Sequence, residues 1–224
     1  MLRFPQTRFL LSAAAPAQFP ADQGVEVAFA GRSNAGKSSA INAIVARRAL
    51  ARASKTPGRT RLLNFFALSE QARLVDLPGY GYASAPERER RTWPALIEAL
   101  RRRASLRGVF LIVDARRGIG EGDLALIEWA TERQRVHVLL TKSDKLTRNE
   151  ARQALSAAAG VLGQRVTVQL FSAHSGVGLE QAQHTLASWL ESPDTAGGDG
   201  LKDPDGRAGH RGRPTRHRSR VNRA

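Results

Sequence analysis

Eight consecutive residues constrain this chain more than any other feature: Gly31-Arg32-Ser33-Asn34-Ala35-Gly36-Lys37-Ser38. They fit the spacing Gly-x-x-x-x-Gly-Lys-Ser. A short, mostly apolar run, Val25–Ala30, precedes them and predicts a buried strand. Ile41, Ile44 and Val45 follow at helical spacing and predict a helix over 38–46. A glycine-rich turn between a strand and a helix can wrap a phosphate chain without Cβ clashes. The helix N-terminus adds unpaired N–H donors and positive potential. Lys37 can reach the β and γ phosphates, and Ser38 offers a hydroxyl to Mg²⁺. The loop therefore points to a nucleoside triphosphate, without choosing the base.

The rest of the pattern supplies the sheet this turn needs. Arg61–Leu68 and Arg73–Asp76 read as two strands joined by a tight turn at Ser69-Glu70-Gln71. Val109–Val113, Val136–Leu140 and Val166–Phe171 are further strands. Helices are predicted after the capping box Ser84–Glu87, and over 121–134, 147–160 and 178–191. Pro94 should kink or split the first of these. Strands alternating with helices predict an α/β fold with a six-stranded, mostly parallel sheet covered on both faces. Apolar strands buried on both sides agree with that. Residues 1–23 read as an N-terminal extension, 24–192 as the nucleotide-binding domain, and 193–224 as a basic disordered tail.

Charge narrows the partners. The chain has 224 residues, with 35 Lys and Arg against 20 Asp and Glu, a formal +15. Such a balance attracts polyanions. The absence of cysteine excludes a disulfide framework, a thiolate zinc site and a cysteine nucleophile. No apolar run is long enough to span a membrane. Arg3 and Arg8 before Phe9–Ala15 faintly resemble a short signal peptide. A nucleotide site needs the cytosolic nucleotide pool, so the expectation is a cytoplasmic protein.

Four other features give the site its identity. Asp76-Leu77-Pro78-Gly79 ends a strand, where Asp76 can hold Mg²⁺ through water and Gly79 leaves its N–H free for the γ-phosphate. Thr60, between the phosphate loop and Asp76, can complete the Mg²⁺ shell. Thr141-Lys142-Ser143-Asp144 follows a later strand. Guanine presents two donors on one edge, and an ionised Asp144 has two acceptor oxygens to match them. The aliphatic stem of Lys142 can cover the base. Ser172-Ala173-His174, after the last strand, can offer backbone N–H to the guanine carbonyl. Ligands in open α/β sheets bind at these carboxyl ends of strands.

Taken together, Val27–Ser39, Lys55–Phe66, Leu74–Tyr82, Leu111–Arg116, Leu139–Leu146 and Phe171–Ala173 resemble the EngB family of bacterial ribosome-biogenesis GTPases, within the TrmE–Era–EngA–EngB group. The resemblance spans residues 20–191 and includes the Thr-Lys-x-Asp form of the base motif. It implies a Ras-like G domain and a GTPase that acts in large ribosomal subunit assembly, with an associated requirement in cell division and septation. It implies Mg²⁺ held through Ser38 and Thr60. It implies nucleotide contacts at Gly31–Ser38, at Gly58, Arg59, Thr60, Arg61 and Leu62, at Asp76–Gly79, at Thr141–Asp144, and at Phe171, Ser172 and Ala173. Related GTPases with Asn at the position of Asn34 can use a potassium ion, which stands here as a hypothesis.

Lys37, Thr60 and Gly79 are the expected catalytic groups, since phosphoryl transfer depends on positioning and charge stabilisation. Many switch GTPases carry a water-orienting glutamine after the Asp-x-x-Gly turn. Here Tyr80 stands there, so slow intrinsic hydrolysis is expected. Loops 47–60 and 76–92 are the expected switches. Their arginines, with those of the tail, suggest contact with ribosomal RNA of the large subunit or its precursor, by a monomeric protein. The alternative is an RNA-binding assembly factor whose nucleotide site is regulatory and barely hydrolytic. A small-molecule kinase is a second rival, which would not need Thr141–Asp144.

Overall fold

The computed structural model describes residues 4, 6–51, 62–80, 87–130 and 134–191, leaving aside the side chains of 87–93. Seven strands form one sheet, in the order β1-β3-β4-β2-β5-β6-β7. They are β1 (Arg8–Ala13), β2 (Val25–Gly31), β3 (Leu63–Ala67), β4 (Ala72–Asp76), β5 (Leu106–Asp114), β6 (Arg135–Thr141) and β7 (Val166–Leu170). β4, β2, β5, β6 and β7 pair in parallel, and β3 runs against both of its neighbours.

The sheet is buried on both faces, as its continuous apolar strands require. On one face Val27, Phe29, Phe110 and Leu139 meet helix α1 (Lys37–Ile44) and helix α5 (Leu179–Glu191) through Ile41, Ile44, Leu186 and Trp189. On the other, Ala28, Val109, Leu111 and Val138 meet helices α2 (Glu87–Arg101), α3 (Glu121–Trp129) and α4 (Arg148–Leu162) through Leu96, Leu100, Leu126, Ala158 and Leu162. No helix among the described residues is long and apolar enough to cross a membrane.

Two expectations need correction. The sheet has seven strands rather than six, because residues 8–13, in the segment read as an extension, form β1. The Ser12 hydroxyl donates to Asn64 Oδ1 at 2.6 Å, and Phe9 meets Phe66 edge-on at 5.9 Å. Without β1 the antiparallel β3 would be an open edge. The run that resembled a signal peptide is this strand. Pro94 does not split α2, which continues unbroken to Arg101. The cost is one helical hydrogen bond, since proline has no N–H.

Two buried polar clusters went unread in the sequence. Glu26 is fully buried at the start of β2 and is paired with Arg73 at 2.9 Å and Arg103 at 2.6 Å. The same arginines donate to the carbonyls of Ala21 and Pro20, tying the preceding segment to the sheet. Removing one partner of such a pair typically costs about 3–5 kcal/mol.

His137 is the second cluster. It is buried in β6, with Nδ1 2.6 Å from Thr167 Oγ1 and Nε2 2.9 Å from Gln169 Oε1. Burial holds its imidazole below the ordinary range. The unfolded chain therefore binds that proton more readily, and stability falls as pH drops below the ordinary imidazole value. Urea unfolding between about pH 7.5 and about pH 5.5, which bracket that value, should show this loss. A His137→Gln variant should show a flatter dependence, and equal slopes would contradict the assignment.

Candidate functional site

Four strands end on the same side of the sheet and bring the candidate residues together. β2 delivers the phosphate loop, β4 delivers Asp76, β5 delivers Asp114 and β6 delivers Thr141–Asp144. The register keeps them level: Phe29 stands beside Asp76, Gly31 beside Ile112, and Asp114 beside Thr141.

The loop itself needs its glycines. A Cβ on Gly31 would lie 2.4 Å from the Ile112 carbonyl oxygen. Gly36 has φ +102°, a left-handed conformation that opens α1. Lys37 begins that helix, and its ammonium pairs with the Asp76 carboxylate, which is nearly buried. Ser38 is the next residue and is half-buried. Gly79 presses on the loop, where a Cβ would meet Ser33 Cα at 3.0 Å.

The base-side loop is tied to the phosphate loop. Lys142 Nζ donates to the Asn34 carbonyl at 2.6 Å and to Asp114 Oδ2 at 2.9 Å. Both Asn34 (φ 64°) and Lys142 (φ 58°) hold left-handed backbone, strain that the surrounding contacts maintain. The Thr141 hydroxyl donates to the Ala35 carbonyl and lies 2.9 Å from that of Val113. Arg116 holds Asp114 through two parallel bonds of 2.9 and 2.7 Å. These bonds, with Lys142 adding to them, keep the Asp114 carboxyl well below the usual carboxylate range despite its burial.

Asp144 accepts a 2.6 Å hydrogen bond from the Ser172 hydroxyl. That bond, with a weaker contribution from Lys145, lowers the Asp144 carboxyl below its ordinary value, so the group is an ionised acceptor. The Ser172 oxygen in turn accepts from the amides of His174 and Ser175. Ser143 donates its amide and hydroxyl to the Phe171 carbonyl. Phe171 buries its ring in the core, and Leu77 is buried too, its N–H donating to the Phe29 carbonyl. These residues build the site from behind. Pro78 is half-buried beside them, and Ala173 follows Ser172 at the surface.

Gly58, Arg59, Thr60 and Arg61 lie outside the described residues, and so does the tail 193–224. Leu62, just before β3, is half-buried. No cluster of three or more His, Cys, Asp or Glu able to hold a metal exists among the described residues. The donor set here is instead the Ser38 hydroxyl and the Asp76 carboxylate, which pairs with Lys37, the residue before Ser38. It suits a hard cation that takes most of its ligands from phosphate oxygens and water.

The residue order alone gave neither Asp114 nor Asp123 a role in the site, although Asp114 lies within the Leu111–Arg116 segment. Asp114 ends a buried strand just as Asp76 does, and that placement was the available signal. Asp123 had none: it meets Tyr80 through space, and its carboxylate accepts the phenol hydroxyl and the Gly120 amide. Burial and this carboxylate push the Tyr80 phenol far above its ordinary range, so it stays a donor.

Comparisons with known proteins agree with this arrangement. A family profile described as "50S ribosome-binding GTPase" matches residues 26–142. The chain is 52% identical over 192 residues to a "Probable GTP-binding protein EngB" of Methylococcus capsulatus, covering 83% of this chain and 91% of that one. It is 47% identical over 194 residues to the protein of that name in Coxiella burnetii strain RSA 493, covering 84% and 95%. Among solved structures, a probable GTP-binding protein EngB superposes with a TM-score of 0.59 at 22% identity, covering 74% of this chain and 98% of that one. Aquifex aeolicus Era bound to GDP·AlF4⁻ superposes at 0.57 with 18% identity, covering 77% and 58%. At those identities the structural likeness shows the fold.

Replacing Ser172 by Ala should raise the Asp144 carboxyl back toward its ordinary value. Carbon-detected NMR titration of the side chain measures this, and an unmoved midpoint would contradict the cause assigned.

Proposed function

The chain belongs to the EngB family of GTP-binding proteins, which are GTPases, and from that premise we propose a Mg²⁺-dependent GTP switch acting in large ribosomal subunit assembly. The observation that carries the nucleotide part is the Lys142 bond to the Asn34 carbonyl. It sets the loop carrying Asp144 beside the loop that wraps phosphates, so one nucleotide can lie across both. Asp144, ionised and oriented by Ser172, supplies two acceptors for the two donors of a guanine edge. Adenine offers no such pair.

At the other end, the backbone amides around Gly36 and the Lys37 ammonium neutralise the phosphate chain. Lys37 leaves Asp76 for the β and γ phosphates when they arrive. Mg²⁺, when bound, would be held by Ser38 and Thr60, and would neutralise charge on the phosphates. Gly79 would offer its amide to the γ-phosphate. A potassium ion at Asn34 remains part of the proposal. The Tyr80 phenol is engaged with Asp123 and cannot orient an attacking water as glutamine does, which supports slow hydrolysis by the chain alone.

The partner reading rests on the family description and on charge. The matching family is described by its binding to the 50S ribosome. With 35 basic against 20 acidic residues, this chain suits a ribosomal RNA partner in the large subunit or its precursor. We place this activity in the cytoplasm, with a monomer as the acting species. The requirement in division and septation would follow from it.

Two outcomes test the reading. Asp144→Asn sets an amide donor against the guanine amine and removes charged hydrogen bonds worth about 1.5–3 kcal/mol each. GDP affinity, measured by calorimetry, should fall about a hundredfold, while xanthosine diphosphate gains; unchanged GDP affinity would contradict the base assignment. Single-turnover GTP hydrolysis by the isolated protein should be slow, on the order of 10⁻³ s⁻¹. Large-subunit particles should accelerate it, and a fast unassisted rate would overturn the partner-dependent reading.

A further inference from the structure

Tyr80 follows the Asp76–Gly79 turn, where loop mobility would be unsurprising, yet three separate contacts hold it. Its N–H donates to the Gly31 carbonyl at 3.3 Å, and its carbonyl accepts the Ser33 N–H at 3.0 Å. These bonds form a parallel bridge between Tyr80 and Arg32 that extends the sheet by one rung. Its hydroxyl donates to Asp123 in the first turn of α3.

Asp123 is built to receive it. The residue is 1% exposed, and its second oxygen accepts the Gly120 N–H at 2.9 Å. The N-terminal end of a helix also favours a carboxylate. Gly122 leaves room for the ring: a Cβ there would stand 3.3 Å from Tyr80 Cε2. A buried carboxylate is costly unless it is hydrogen-bonded, so this one is a commitment of the fold rather than an accident of the surface.

We propose that Asp123 is a positioning residue for GTP hydrolysis, acting through Tyr80. By anchoring the phenol to α3, it fixes the peptide that follows Gly79 against the phosphate loop. Gly79 already touches Ser33 closely, so a small shift of Tyr80 is transmitted to the amide facing the γ-phosphate. The same anchor keeps the phenol out of the space where water attacks. This inference rests on the reading of the chain as a GTP hydrolase, and it adds a residue that touches neither nucleotide nor metal.

The test is steady-state and single-turnover hydrolysis by full-length Tyr80→Phe, Asp123→Ala and the double variant, alongside GDP affinity and thermal midpoint. A displacement of about 1 Å in a positioning contact can cost up to about a hundredfold, so a loss near tenfold in kcat is expected from each single variant. KM and GDP affinity should stay within about twofold, because the contact is made to the turn and not to the ligand. The double variant should be no slower than the worse single one, as two ends of one hydrogen bond require. Asp123→Asn, which keeps an acceptor for the phenol, should recover part of the loss. Unchanged kcat in the single variants, losses that multiply, or losses matched by weaker GDP binding would overturn the proposal. A wild-type chain that hydrolyses no GTP, with or without ribosomal particles, would overturn the hydrolase reading and this inference together. An active wild type with unaffected variants would overturn the inference alone.

Discussion

The site depends on one ammonium group. Lys142 reaches from the end of β6 to the carbonyl of Asn34 in the phosphate loop and to the carboxylate of Asp114 at the end of β5. Three strand ends are thereby joined through a single charge. Charge-assisted bonds of this kind are shorter and about twice as strong as neutral ones. The arrangement demands parallel, level strands, because a slip of one residue between β5 and β6 would turn Asp114 to the opposite face. It also demands unusual backbone: Asn34 and Lys142 both hold positive φ, which few residues other than glycine adopt. The strain sits where the two loops meet, and the contacts around Thr141 and Arg116 sustain it.

Around that joint the two halves of the site have different characters. The phosphate half is shaped by backbone, with Gly31 and Gly79 packed too closely to accept a side chain without displacement. The base half is shaped by side chains, with Ser172 holding Asp144 and Ser143 holding the Phe171 carbonyl. In the proposed function the first would suit any nucleoside triphosphate, and the second would supply the selectivity. Tyr80 adds a third element, a link from the turn after Asp76 to helix α3 through Asp123.

Much of this was readable in the residue order because the relevant signals are local. The phosphate loop, Asp76 and Asp144 each sit at or just after the end of a strand, and those strands pair in parallel so that their ends fall on one side of the sheet. What escaped is non-local. Asp123 and Tyr80 are far apart in sequence and share no motif, and only the sheet topology brings α3 against the turn. Glu26 looks like a polar interruption in a strand until Arg73 and Arg103 close on it. β1 was missed because Phe9-Leu10-Leu11 has neither strict alternation nor length, and its pairing with β3 joins residues far apart in the chain. Of the two effects expected of Pro94, a kink or a split, the split does not occur: proline weakens a helix, but Leu96, Ile97 and Leu100 pack into the core and α2 runs through.

The central claim is that the joined strand ends form a guanine nucleotide site. Calorimetric titration of the purified chain with GDP and with ADP, both with Mg²⁺, tests it most directly. The account predicts that GDP binds at least about a hundredfold more tightly than ADP, since only guanine satisfies both oxygens of Asp144. Equal affinity for the two nucleotides would contradict it.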